Sequence, residues 1–343
     1  MRDALILTRA LAQPASVEAL DAAGWTALLT IARAEQLLGT LAHRMAGLAV
    51  PSAVEAILAD ARVWAEHERR TALWEAEMAR RALAGVDAPV VLLKGTAYAA
   101  AGLAAGQGRS IGDLDLLVPR DRLDAVEAAL LAHGWEWVKP DAYDDAYYRR
   151  WMHELPPLIH RERDRMADVH HTILPLTARP RPDAALLIAD AVPLGNGLAV
   201  LSPEHMVIHA GTHLFADGDL AGGLRNLWDI DRLCREFGEK ADFHPKLIDS
   251  AEHHQLAPAV LCALRLAHHL YGTPAEIDLR LTPFDRWTIR RLLARDGWGC
   301  ATRPATRLGF YLRSHWLRMP PAMLARHLFT KWCKGGAPSG VAG

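Results

Sequence analysis

The spacing of hydrophobic residues changes twice along the chain. From residue 1 to about 83, Ala, Leu, Glu and Arg predominate, and large apolar residues recur at three- and four-residue intervals in WAEHERRTALWEAEMARRAL, which predicts helices. After a break at residues 85–89, the segment VVLLK is a short continuous apolar run, typical of a buried strand. The following GTAYAAAGLAA predicts a helix, and residues 111–118 predict a second strand.

The pattern after this second strand predicts one helix, several strands and then helices again. Asp121 is placed to act as the N-cap of the helix, and Gly134 is placed to end it. WEWV, PPLIH and RMADVHH then predict three more strands. Ser202 and Pro203 together mark the start of a new helical region.

This order of elements predicts an α/β (α+β) core between two helical regions. The predicted parts are an N-terminal helical region at 1–83, the core at 84–190, a C-terminal helical domain at 191–334 and a disordered tail at 335–343.

Charge and cysteine usage exclude several classes of protein. The formal net charge of −1 provides no overall basic field for a nucleic-acid partner. The four cysteines are far apart, which predicts reduced thiols rather than disulfides or a zinc knuckle. The N-terminus lacks the long apolar stretch of a signal peptide, and no uncharged apolar run reaches the roughly 18 residues of a membrane span. We therefore expect a cytoplasmic protein without a membrane or nucleic-acid partner.

Two aspartates stand in the second predicted strand, where carboxylates are costly to bury. Asp113 and Asp115 point to the same face because side chains alternate along a strand, so a cation must lie between or beside them. That cation could be an arginine, a lysine or a divalent metal such as Mg²⁺, which prefers carboxylates and phosphate oxygens. Asp168, in the later strand MADVHH, is a candidate third ligand, and His170 shares its face.

Four residues beside these strands could bind phosphate. Lys94, Gly95 and Thr96 lie where the first strand ends and a helix is expected to begin; they offer a charge, close backbone approach and a hydroxyl. Arg109, just before the aspartate strand, could hold a phosphate through two hydrogen bonds.

Taken together, these motifs resemble a known family. Lys-Gly-Thr, then Arg-x-x-Gly-Asp-Leu-Asp-Leu-Leu-Val, a helix ending in His-Gly-Trp, and Asp-Val-His resemble the uncharacterised bacterial nucleotidyltransferase-like family of the DNA polymerase beta nucleotidyltransferase superfamily. The resemblance covers roughly residues 85–235. It implies a polymerase-beta-like core with a mixed sheet, in which Gly95 and Thr96 form the phosphate turn. It also implies that Asp113, Asp115 and Asp168 are catalytic metal ligands.

The resemblance implies a metal-dependent transferase. With Mg²⁺ or Mn²⁺, such an enzyme would transfer a nucleoside monophosphate from an NTP, most simply ATP, to a hydroxyl or phosphate acceptor and release pyrophosphate. The acceptor would be an unidentified small molecule, peptide or protein. Two alternatives stay open: a kinase of a peptide or small molecule that uses the same metal site, and a non-catalytic nucleotide-binding or antitoxin-like module.

A row of polar residues follows the start of the C-terminal helical region. His205, His209, His213 and Asp217 recur every four residues on one helical face. This spacing would allow a zinc hydrolase, but Ala210 stands where the glutamate of the usual zinc motif should be. We expect instead that His209 or His213, with His170, faces the cleft beside the aspartates and helps to bind the acceptor.

Each candidate residue also has a simpler structural explanation. Asp113 and Asp115 could pair with Arg109, and Asp168 could pair with an arginine of the RERDR segment. Thr96 could cap the following helix. A second Asp-x-Asp sequence, in LWDIDR, is expected on a helix, where residues two apart do not face each other. Its Asp229 is expected to pair with Arg225 or Arg232.

Overall fold

The N-terminal part of the chain is helical, as its composition predicts. The computed structural model describes residues 3–139, 142–216 and 219–318. The N-terminal helices are α1 (Leu5–Ala12), α2 (Ala22–Ala34), α3 (Leu38–Arg44) and α4 (Ser52–Ala82). α4 buries a row of alanines against the protein and carries Arg–Glu ion pairs spaced three and four residues apart on its outer side.

A mixed sheet forms the centre of the described structure. Its strands are β1 (Val91–Leu92), β2 (Leu114–Leu117), β3 (Trp135–Trp137), β4 (Leu158–His160), β5 (Met166–His170), β6 (Val192–Pro193) and β7 (Ala199–Val200). The strand order is β3-β4-β5-β2-β1-β7-β6. β2 lies parallel to β5 and antiparallel to β1. Most apolar side chains of these three central strands, such as Leu92 and Leu116, are buried.

The helices between the strands are shorter. They are α5 (Lys94–Ala100), α6 (Leu123–Ala132), α7 (Ala142–Trp151) and α8 (Ala184–Ala189). The expectation that Asp121 caps α6 is wrong, because Asp121 lies within a 3-10 turn and α6 begins at Leu123 without a side-chain cap. Gly134 follows α6 with a φ of 98°, as expected for a glycine that ends a helix.

The C-terminal region is again helical. Its helices are α9 (Pro203–Ala216), α10 (Gly223–Phe237), α11 (Phe243–His253), α12 (Ala257–Tyr271), α13 (Pro283–Leu292) and α14 (Pro304–Arg318). The hydroxyl of Ser202 accepts a hydrogen bond from the His205 amide at 3.3 Å, which is the capping role expected of it. In the described part of the chain, no helix is both long and apolar enough to cross a bilayer.

The mixed α/β class expected from the sequence is confirmed. Two short strands of the sheet, β6 and β7, lie after residue 190, and β7 runs parallel to β1. The two helical regions also touch, since Nε of Arg295 lies 2.7 Å from the carboxylate of Glu35. The domain boundaries stay a prediction, and the expected tail at 335–343 lies outside the described residues.

Candidate active site

Asp115 and Asp168 lie opposite each other on neighbouring parallel strands. The register of β2 and β5 pairs Asp115 with Asp168 and Leu117 with His170. Asp113 comes immediately before β2, one residue from Leu114. One carboxylate oxygen from each of Asp113, Asp115 and Asp168 lies within 4.8 Å of the others. Three aspartates that are far apart in sequence therefore form one cluster.

The positive partner of buried Asp115 is Lys94. Its Nζ lies 2.6 Å from Oδ1 of Asp115, and Nε2 of His170 lies 3.0 Å from the same oxygen. Lys94 has a φ of 50°, which is uncommon for a residue other than glycine. Burial acts to raise the pKa of Asp115, but Lys94 and His170 outweigh it and hold that pKa well below its usual range. Asp115 is therefore ionised.

Asp168 has a very different environment. Its Oδ1 is buried, and no residue of the described structure forms a hydrogen bond with it. Burial, together with the negative charges of Asp115 and Glu154, raises the pKa of Asp168 from 3.8 to about 7. A buried oxygen without a donor is costly, so this atom has a free position for a cation or a proton.

The ion pairs with arginine that were the alternative explanation for the aspartates are not observed among the described residues. In the RERDR segment, Nε of Arg163 lies 2.7 Å from Glu75, and Arg165 donates to a backbone carbonyl 3.4 Å away. None of the three arginines of this segment, Arg161 included, forms an ion pair with Asp168 in the described part of the chain.

Arg109 is held in a buried ion pair with α10. Its Nε lies 3.0 and 3.2 Å from the two carboxylate oxygens of Asp229. Asp229 was expected to pair with Arg225 or Arg232, and that expectation is wrong. The loop before β2 positions Arg109 beside α10. The periodicity of hydrophobic residues that predicts strands and helices does not predict this pairing of residues that are 120 positions apart.

The side chain of Arg109 packs against the Lys94–Gly95–Thr96 turn. A Cβ atom added to Gly95 would lie 2.1 Å from Nη1 of Arg109, so the close approach that this glycine allows is made by a side chain of the protein itself. Thr96 is within α5, and the cap position of that helix is Leu93, so Thr96 does not cap it. The buried Thr96 hydroxyl has no partner among the described residues.

Sequence reasoning missed Glu154 and His153, which lie beside the aspartates. Nδ1 of His170 lies 3.3 Å from Glu154, so His170 bridges Asp115 and Glu154. The His153 ring stacks on His170 with centroids 5.2 Å apart. Burial lowers the pKa of His170, but the two carboxylates outweigh it and raise that pKa. Glu154 reaches β5 through an isolated bridge to His170, and such a contact has no periodic signature in the sequence.

One comparison with known proteins identifies a family for the chain. A family model described as an uncharacterised nucleotidyltransferase matches residues 21–272. The chain belongs to this nucleotidyltransferase family. No curated protein matches the chain. The match extends beyond the segment 85–235 that carried the motifs and runs from the start of α2 to the end of α12. Helices that precede the sheet strands in sequence and helices that follow them therefore belong to the matched region.

The aspartate cluster fits a divalent cation. Its three donors are all carboxylate oxygens, which hard cations such as Mg²⁺ prefer, and Oδ1 of Asp168 has a free lone pair. His153, Glu154 and His170 form a second group of ligand atoms within 4.8 Å. His170 links the two groups, because its ring nitrogens face Asp115 on one side and Glu154 on the other.

The histidines of the row on α9 have two different environments. His205 turns away to α11, where its Nε2 lies 3.0 Å from Nε2 of His254. His209 and His213 stack with ring centroids 6.2 Å apart. Burial, with the charges of Lys94 and His170, lowers the pKa of His209 to about 3, so His209 is neutral and lies within the field of the site.

A zinc site on this row has no ligand set in the described structure. Neither group of potential ligands in residues 3–139, 142–216 and 219–318 includes a histidine of the row. Asp217, which was expected to extend the row, lies outside the described residues.

Proposed function

We propose that this protein is a Mg²⁺- or Mn²⁺-dependent nucleotidyltransferase. It transfers a nucleoside monophosphate from an NTP, most simply ATP, to a hydroxyl or phosphate of an acceptor and releases pyrophosphate. The observation that carries the proposal is the convergence of Asp113, Asp115 and Asp168 within 4.8 Å, with a buried oxygen of Asp168 left unpartnered. Membership of the nucleotidyltransferase family supports the nucleotide as substrate.

In this proposal the three aspartates hold the metal. A divalent cation held by these carboxylates would supply charge neutralisation for the phosphates. Asp168, whose Oδ1 has no hydrogen-bond partner among the described residues, is proposed to receive the proton of the acceptor hydroxyl. His170 and Glu154 keep Asp115 in place. The protein therefore contributes positioning and charge neutralisation more than covalent chemistry.

Lys94, Thr96 and the backbone at Gly95 are proposed to contact the triphosphate. Lys94 needs only to exchange one anionic partner, Asp115, for another when a cation occupies the cluster. The Thr96 hydroxyl already lacks a partner in the described residues. Arg109 supports the turn from behind through Gly95, and direct contact between Arg109 and phosphate would require it to leave Asp229.

The acceptor is proposed to approach from α9. His209 is buried and His213 half-buried, and burial with the charge of Lys94 lowers the pKa of both, so they offer hydrogen bonds without adding positive charge. A small molecule, peptide or protein could meet them. The cytoplasmic location remains an expectation from the cysteine spacing.

The decisive experiment identifies the products. Purified protein is incubated with each NTP and Mg²⁺, with a metal-free sample and the Asp113→Asn variant as controls. Pyrophosphate release that needs both metal and Asp113 supports nucleotidyl transfer. Formation of a nucleoside diphosphate would instead assign the site to a kinase, and nucleotide binding without either product would assign it to a non-catalytic module.

A further inference from the structure

A cleft of about 440 Å³ opens between α3, α4 and the loop before β2. Its walls include Gln36, Ile57, Trp64, Glu68 and Ser110. The volume lies within the ~300–1,000 Å³ of small-molecule pockets. Both polar groups and an aromatic ring line it, so it suits a ligand with a flat apolar part and hydrogen-bonding edges.

Two elements that line the cleft, α4 and the loop before β2, continue to residues near Asp113. On α4, Glu68 lines the cleft, and Thr71, one helical turn further, lines a smaller hollow that also contains Asp113. In the loop, Ser110 lines the cleft and lies three residues before Asp113. A ligand in the cleft could therefore extend to the three aspartates.

Trp64 presents a large aromatic surface at the cleft. Its side chain is 63% exposed, and its Nε1 donates to Glu68 at 3.1 Å, which fixes the indole on α4. An exposed, oriented indole is a platform on which any nucleobase can stack. Trp74, 55% exposed on the same helix, does not line the cleft, so it provides a matched comparison.

Arg225 is hydrogen-bonded to a wall residue of the cleft and interacts with the charge of one aspartate of the cluster. Its Nη1 donates to Gln36, a wall residue of the cleft, while its buried Nε finds no acceptor in the described part of the chain. Arg225 also lies within the field of Asp113. A guanidinium with an unused buried donor beside a carboxylate cluster fits phosphate oxygens, which guanidinium groups bind through paired hydrogen bonds.

We propose that this cleft binds the nucleoside of the NTP, with Trp64 stacking on the base and Arg225 contacting the triphosphate. The inference rests on the proposed function, since it supplies the nucleotide position that the aspartates require. It also separates the two substrates: the nucleotide enters beside α4, and the acceptor meets His209 and His213 on α9. The family match supports a nucleotide as the occupant, and the link to Asp113 supports its orientation.

The test compares ATP with tripolyphosphate, which has the phosphates but no base. Binding of each is measured by calorimetry with Mg²⁺ for the wild type, Trp64→Ala, Trp74→Ala and Arg225→Gln. Trp64→Ala should weaken ATP binding about 5- to 150-fold, the factor that corresponds to the ~1–3 kcal/mol of a stacked base, and leave tripolyphosphate binding unchanged. Trp74→Ala should change neither ligand. Arg225→Gln should weaken both, and Arg225→Lys, which keeps the charge, checks that any loss is not a folding defect.

The possible results separate this inference from the proposed function. Equal ATP affinity in wild type and Trp64→Ala overturns the cleft assignment, while metal- and Asp113-dependent pyrophosphate release in the same samples leaves the proposed function intact. Unchanged ATP affinity with reduced transfer in Trp64→Ala would make the cleft the acceptor site and also overturn the inference. Failure of the wild type to bind any NTP overturns both.

Discussion

The Lys94 ammonium lies 2.6 Å from the buried Oδ1 of Asp115. This contact explains how a strand of Leu residues accommodates a carboxylate, because a lysine from the end of the neighbouring antiparallel strand neutralises it. Asp115 is thus an ion-pair partner in the absence of a cation and a candidate ligand in its presence. Exposed Asp113 has only the second role, and the two aspartates should respond differently to mutation.

Replacing each aspartate by Asn should separate stability from function. Asp115→Asn leaves the Lys94 charge without its partner, and breaking a buried pair from one side costs about 3–5 kcal/mol. Asp113→Asn changes an exposed group and should cost within about 0.5 kcal/mol. Both should abolish Mg²⁺-dependent NTP binding. Urea unfolding of metal-free protein and calorimetric titration with Mg²⁺-ATP measure the two effects; equal stability losses would contradict the assigned role of Lys94.

The raised pKa of Asp168 predicts a pH dependence of the metal-free protein. Between pH 4 and about 7 the unfolded chain gives up this proton while the folded protein keeps it, since burial and Asp115 raise the folded pKa from 3.8 to about 7. The free energy of unfolding should therefore fall as pH rises through this window. Asp168→Asn should reduce that slope. Melting temperatures in a chelator at several pH values measure it, and parallel curves for variant and wild type would refute the prediction.

Glu154 should act on the site through His170. Glu154→Gln removes the charge that faces Nδ1 of His170 at 3.3 Å, and loss of such a supporting partner typically costs about 10- to 100-fold in metal affinity or activity. Glu162, an exposed carboxylate in the turn before β5, provides the control variant Glu162→Gln. Mg²⁺ affinity and pyrophosphate release are the readouts. Equal behaviour of the two variants would mean that Glu154 is only structural.

The divided histidine row predicts a specific effect on the acceptor. The double variant His209→Gln with His213→Gln should reduce transfer while NTP affinity stays nearly unchanged, because these two stacked histidines are proposed to contact the acceptor and not the nucleotide. His205→Gln is the control, since His205 faces His254. NTP binding and transfer are measured separately. Unchanged transfer in the double variant would show that the whole row is structural.

Gly95 should be required for packing against Arg109. An alanine Cβ would lie 2.1 Å from Nη1 of Arg109, whose Nε is held by Asp229, so Gly95→Ala should cost roughly 1–3 kcal/mol of stability. Gly85→Ala is the matched control, because no atom lies within 4 Å of its added Cβ. Thermal melting compares them. If the two variants have the same melting temperature, the Arg109 side chain can move aside, and it is then free to bind a phosphate.

The sequence by itself determined the elements and the chemistry of the cluster. A continuous apolar run predicted β1, apolar residues around the aspartates predicted β2 and β5, and the alternation of side chains placed Asp113 with Asp115 and Asp168 with His170. These are local properties, since a strand's period and a carboxylate's cost of burial depend on a few neighbouring residues. The motifs also sufficed to identify the nucleotidyltransferase family.

The tertiary structure alone decided the partners. Lys94 meets Asp115 because β1 pairs with β2, and Arg109 meets Asp229 because α10 packs beside the loop before β2. Glu154 and Arg225 carry no local signal, as their neighbours come from distant elements. Which charges pair depends on strand register and helix packing, and these emerge from burial summed over the whole core rather than from any single segment.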